Sequence, residues 1–374
     1  MSDRERLHFF DNLRAFVIVL VVVLHGSMTY MAYAPTWWYV IDPQNSIFFT
    51  WLVLLIDVPI MPILFFIAGY FALPSLQKRG VKRFLQDKFV RLGIPWIFGV
   101  LFLAPLVTYL IYASRNISMG YLQFWATDFW GKLYQQSVYW FLGVLLLLYG
   151  ILCVVYNENP KLRVNQLLTS QPSQRFWASF MGLMIMGSLA MTVSFKPDDW
   201  THFYVLMFQP VRAPLYVGYF FLGMYAWRHK WFTTDGYRPE VGPWIAGSLI
   251  SALTYLASRW TTGDTPAAQV VLTIASQVLL NVYCLFALLA AIAFFQQRVN
   301  RPTRFWQNLA PNSYGIYYVH PLILYPLTYL LVTVSVDVVF KAVGVILVAM
   351  ALSWAVSAIV LRKTPGLRHM FAGV

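Results

Sequence analysis

Residues 9–25 read Phe9–Phe10–Asp11–Asn12–Leu13–Arg14–Ala15–Phe16, then Val17 through Leu24 without a polar side chain, then His25. A run this apolar forms a helix that lipid accepts. Arg14 and His25 are eleven residues apart, about three turns, so both lie on one stripe roughly 16 Å apart along the axis. Asp11, three residues before Arg14, is placed to hold its guanidinium. An ionisable group at the mouth of an apolar helix and an imidazole deep inside it are costly there, which marks both as functional candidates. The plainer alternative is an Arg that snorkels to the interface and a His bonded to a neighbouring helix.

The rest of the chain has the same character. Of its 374 residues 59% are hydrophobic and 11% charged, against about 25% charged in a soluble domain. The expectation is an all-α, polytopic transmembrane bundle forming one domain over 1–374. Ten segments are long enough to span: about 10–34, 46–73, 89–114, 138–156, 175–194, 211–228, 241–258, 269–296, 313–332 and 336–361. The net charge of +13 follows this topology rather than a nucleic-acid partner. With both termini in the cytoplasm, most Lys and Arg fall on cytoplasmic segments: Arg4, Arg6 and Arg14; Lys78 to Arg91; Lys161 to Arg175; Arg228 to Arg238; Arg298 to Arg304; and Arg362 to Arg368. The longest outer loops are about 115–137 and 195–210. The first segment reads as a retained span, because no small-residue cleavage site follows Leu24. The tail from Arg362 is basic with Leu367, Met370 and Phe371 interspersed, which suits the inner membrane surface or a disordered tail. Cys153 and Cys284 sit in apolar runs and read as packing residues, with no metal site.

Further candidates follow from position. Asp57 lies deep in the second segment, near the depth of His25, beside Pro59 and Pro62, which are expected to break the helix. A buried carboxylate beside an imidazole would fix its tautomer; the alternative is a hydrated outer-leaflet Asp. Lys88 and Arg91 open the third segment at i,i+3 and, with Arg14, would form a basic cytoplasmic mouth suited to a phosphorylated ligand. Trp140 opens the fourth segment at the outer face. Arg212 begins the sixth and could meet an anionic or sugar ligand, or sit at the interface. His320 lies within the ninth, where a hydrogen bond between helices is the commoner role.

In order along the chain, these elements resemble the acyltransferase-3 family of bacterial inner-membrane O-acyltransferases. The first span matches that family's Arg–ten residues–His pattern. Phe65–Phe66–Ile67–Ala68–Gly69–Tyr70–Phe71 resembles its Phe-Phe-x-Ser-Gly-Phe/Tyr segment, with Ala68 in place of Ser. Lys88–Phe89–Val90–Arg91 resembles its Arg-x-x-Arg pair, with Lys in the first position. Trp140–Phe141–Leu142 and Tyr317–Tyr318–Val319–His320–Pro321 extend the likeness. Arg91 to Pro95 and the C-terminal part look most like a glucan-biosynthesis branch, which the resemblance links to succinylation of periplasmic glucans.

The resemblance implies an enzyme of the inner membrane that moves an acetyl or succinyl group from acyl-CoA to a glycan hydroxyl. Arg14, Lys88 and Arg91 would hold the donor's phosphates, and His25 would act as general base with Asp57 orienting it. Asp11, Trp140, Arg212 and His320 would serve the substrates. No metal, nucleic acid or further domain is expected, and membrane lipid is the surrounding partner. The residues also fit a transporter or flippase for an anionic metabolite, with His and Asp as a proton relay.

Overall fold

The computed structural model describes residues 7–163 and 169–371. Arg4, Arg6 and the last three residues of the tail lie outside them. Helices occupy all ten expected segments: α1 (His8–Met28), α2 (Ile47–Arg79), α3 (Val81–Ser114), α4 (Trp140–Glu158), α5 (Gln174–Thr192), α6 (Ala213–Arg228), α7 (Val241–Trp260), α8 (Pro266–Arg298), α9 (Arg304–Leu331) and α10 (Val338–Leu361). Of these ten, seven are long and apolar enough to cross a membrane and α5, α6 and α9 are not. The chain is a multi-pass membrane protein, and its described residues are helical apart from loops and one short antiparallel hairpin that pairs Thr201–Phe203 with Leu206–Phe208.

α1 sits at the centre, packed against α2, α8, α9 and α10. Its buried face carries Phe9, Phe10, Leu13, Val17 and Val21. α2 and α6 meet backbone to backbone. A Cβ on Gly69 would lie 1.9 Å from the Phe220 carbonyl oxygen, and one on Gly223 would lie 2.1 Å from that of Phe66. Glycine alone permits such an approach, and helices in lipid gain much of their packing energy from it. α7 and α10 leave most of their surface outside the bundle.

Three expectations about the backbone change. The stretch 73–89 is not a loop: α2 runs to Arg79, and α3 starts at Val81 after one residue, Gly80, whose φ of +75° suits glycine. Lys88 and Arg91 therefore lie two to three turns inside α3. Pro59 and Pro62 do not break α2. Pro59 removes the N–H that would pair with the Leu55 carbonyl, and the Tyr283 hydroxyl of α8 donates to that carbonyl at 3.0 Å instead. The tail residues Leu367–Phe371 form a last helical turn, and Phe371 is buried against Tyr314 and Tyr318, ring centroids 5.1 and 5.0 Å away. Cys153 and Cys284 are free and buried.

Candidate active site

Two cavities open beside α1, one at its Arg14 end and one at its His25 end. The first encloses about 1030 Å³ and brings Asp11, Arg14, Lys88 and Arg91 onto one wall, as their sequence positions suggest. Asp11 accepts from Arg14 at 3.2 Å, so its place is beside that guanidinium. The Lys88 ammonium lies 4.4 Å from the Tyr149 ring centroid and 5.3 Å from that of Phe84, a cation–π setting that holds it at the wall. Arg91 stands on a π-turn, Phe89–Gly93, whose widened backbone re-aims the side chains along it. Pro95 leaves the Arg91 carbonyl without its helical donor, and the Tyr314 hydroxyl of α9 donates to it at 2.7 Å. Ala68, the departure from the family's serine, faces this cavity too.

Two cations of this wall were not singled out by sequence. Arg79, paired with Asp87, reads in sequence as an ordinary topology charge. Arg238 arrives on the 229–240 connection, and nothing in its local sequence signals the site.

The second cavity encloses about 940 Å³ and is lined by His25, Asp57, Trp140 and Arg212, together with Trp38 and Gln136. His25 does not pair with Asp57. Its Nδ1 lies 2.8 Å from Nε2 of His320, and the two rings stack with centroids 5.1 Å apart and planes 10° apart. Nδ1 of His320 lies 2.8 Å from the Tyr317 carbonyl oxygen. His320 is fully buried and, unlike His25, is not among the residues that line the cavity.

Asp57 belongs instead to Arg212, whose Nη1 is 2.5 Å from its carboxylate and 3.3 Å from its carbonyl oxygen. Asp198 joins at 3.9 Å and bridges on to Arg259 at 2.8 Å. Sequence missed this cluster because Asp57 and Arg212 are 155 positions apart and neither has a partner within its own helix. Trp140 packs on Trp200 and Tyr216, with both ring centroids 5.3 Å away. The wall thus offers flat aromatic faces beside forked donors and acceptors, the surface that a polyhydroxylated ligand needs.

The segment 29–46 closes over His25, with the Trp38 ring 5.8 Å from the imidazole. Several contacts fasten it. Asp42 and Lys341 form a buried ion pair at 2.6 Å. Arg115 donates to the carbonyls of Thr36 and Trp38 at 2.7 and 3.1 Å. Tyr39 stacks on Tyr325 at 4.4 Å.

The cavities meet at Tyr317, which lines both. On α1 the boundary falls between Ile18 and Val21, and on α2 between Met61 and Leu64. Three residues of helix are about 4.5 Å, so a thin apolar partition separates the cation-lined end from the imidazole.

A many-spanned helical protein with a cation-lined cavity and an imidazole-lined cavity side by side along one helix has the arrangement that a membrane acyl-group transferase needs. The comparisons make it particular: the chain belongs to the acyltransferase-3 family, whose acyltransferase domain matches residues 7–360. Among curated proteins it is 23% identical over 275 residues to the glucans biosynthesis protein C of Escherichia coli K12, covering 70% of this chain and 68% of that protein. The protein of the same name from Escherichia coli O139:H28, strain E24377A, is 24% identical over 279 residues, with the same coverage. No solved structure matches the chain.

Proposed function

We propose that the protein transfers an acetyl or succinyl group from acyl-CoA, entering from the cytoplasm, to a hydroxyl of a periplasmic or cell-surface glycan at the inner membrane. The observation that carries this reading is the serial placement of the two cavities, with His25 beyond a partition about one helical turn thick. The names of the Escherichia coli relatives point the acceptor toward glucans.

In this reading Arg14, Lys88 and Arg91 bind the donor's phosphates, joined by Arg79 and Arg238. The acyl thioester passes Tyr317 to reach His25. The acceptor lies against Trp140 and the Arg212–Asp57 pair. An alcohol is a weak nucleophile at neutral pH and needs a base. Nε2 of His25 takes the hydroxyl proton as oxygen attacks the thioester carbonyl. The C–S bond then breaks, and the CoA thiolate leaves with that proton. The reaction consumes no net proton and needs no metal ligand.

Both termini and the turn at Gly80 belong to the cytoplasm in this arrangement. A cysteine in place of exposed Arg83 should react with an impermeant thiol reagent only from the inside. Labelled acyl-CoA supplied to inverted vesicles tests the activity. Label appearing on glycan, without net uptake of donor, is the expected result. Uptake without transfer identifies a transporter instead.

A further inference from the structure

Along α9, the amide that should pair with the Tyr317 carbonyl belongs to residue 321, which is proline. Proline has no N–H, so its ring leaves that carbonyl without a helical donor in the bundle interior. Nδ1 of the preceding residue, His320, lies 2.8 Å from it, and the Ile316 carbonyl is farther, at 3.3 Å. A carbonyl only accepts, so Nδ1 of His320 carries the hydrogen. A neutral imidazole protonated at Nδ1 has its lone pair at Nε2, and Nε2 of His320 is the atom 2.8 Å from Nδ1 of His25. Nδ1 of His25 must therefore be the donor there. The lone pair of the His25 ring is then left on Nε2, the nitrogen with no protein partner among the described hydrogen bonds, on a residue that lines the acceptor-side cavity.

We infer that His320 is a positioning residue that sets the tautomer of His25, and that Pro321 sets the tautomer of His320 by freeing the Tyr317 carbonyl. The inference rests on the reading of His25 as general base. In the opposite tautomer, Nε2 would present a hydrogen to the acceptor hydroxyl and could not take its proton. His320 keeps accepting the Nδ1–H hydrogen bond as charge develops on His25, and the 10° stacking of the two rings keeps Nε2 aimed at one place.

The experiment joins kinetics to a spectroscopic signature. Wild-type, His320→Gln and His320→Leu proteins are labelled with ¹⁵N-histidine, purified in nanodiscs and compared by nitrogen chemical shift. Shift separates a protonated ring nitrogen from one with a lone pair, and a His25→Asn protein identifies the His25 signals by their loss. The wild type should show His25 protonated at Nδ1 and bare at Nε2. His320→Gln places an amide oxygen where Nε2 stood, so it should keep that pattern and retain activity within about tenfold. His320→Leu offers no acceptor. It should mix the tautomers of His25 and lower kcat at least about 10²-fold, the scale of general-base help, while KM for donor changes little. A wild-type spectrum with His25 protonated at Nε2 overturns the inference. So does a His320→Leu protein with wild-type kcat. Failure of the base reading would look different: His25→Asn would stay active whatever the tautomer of the wild-type ring. If His320→Leu does not fold, the wild-type spectrum and the Gln protein still decide.

Discussion

Asp57 and Arg212 form an ion pair at 2.5 Å across 155 residues of sequence, joining α2 to the start of α6 on the wall of the His25-side cavity. The Arg212 side chain is 9% exposed and that of Asp57 32%. The arginine is thus the buried member, and the carboxylate is its route to charge balance. A buried ionic member left alone is strongly unfavourable.

This pairing gives Asp57 a different expected phenotype from that of a residue orienting the base. Asp57→Asn should raise KM for the acceptor several-fold through loss of Arg212's placement, with kcat kept within about tenfold. An orienting carboxylate would instead lose about 10²–10⁴-fold in kcat. Steady-state kinetics with a soluble glucan oligomer separate the two outcomes. Arg212→Ala should cost more than Asp57→Asn, and the double variant should cost less than the sum, because residues in direct contact are not additive.

At the other end, Arg14→Ala and Arg91→Ala should mainly weaken donor binding. A charge-assisted contact is worth about 1.5–3 kcal/mol, or roughly ten- to a hundredfold in Kd. Arg238→Ala should weaken binding less, because Arg238 reaches the cavity on an exposed connection. Calorimetry of CoA binding to purified protein is the measurement. Unchanged affinity in both Arg14→Ala and Arg91→Ala would remove the phosphates from this wall.

The buried pair Asp42–Lys341 makes a stability prediction. Both side chains are almost wholly inside, at 0% and 3% exposure. Lys341→Met strands the Asp42 charge and should destabilise the protein by about 3–5 kcal/mol, whereas Asp42→Leu with Lys341→Met should recover most of the loss. Thermal unfolding in detergent reads both. Because the pair fastens segment 29–46 over His25, the single variant should also lose transfer activity at temperatures well below its unfolding.

How much of this was visible in the sequence depended on distance along the chain. Arg14 and His25 share a helix, so the 3.6-residue period places them on one stripe, and Lys88 and Arg91 share a turn in the same way. The apolar runs located the long helices, because lipid imposes length and composition on the seven described ones that can cross it. What stayed hidden lies between helices. The partner of Asp57 enters on α6, that of His25 on α9, and that of Asp42 on α10. The connection at 73–89 was misjudged for a local reason. Its charges look like a loop, yet Gly80 alone turns the chain while the charges ride on helix ends. The prolines misled as well: Pro59 and Pro62 read as breaks, but α2 runs on through both, and Tyr283 reaches across to satisfy the carbonyl that Pro59 frees.

The sharpest prediction concerns His25 itself. His25→Ala should abolish transfer while leaving the bundle folded and CoA bound, since the base contributes about 10²–10⁴-fold and no donor-binding cation depends on it. His25→Asn is the more searching change. An asparagine amide can still donate toward Nε2 of His320, so the contact between α1 and α9 survives, but it cannot take a proton at neutral pH. If His25 served only to bond the two helices, Asn would keep most of the activity. If Nε2 of His25 takes the acceptor's proton, the Asn protein should be as inactive as the Ala protein yet melt nearer to wild type. Purified His25→Asn protein turning over at near wild-type rate would take His25 out of the chemistry and leave the cavity without its base.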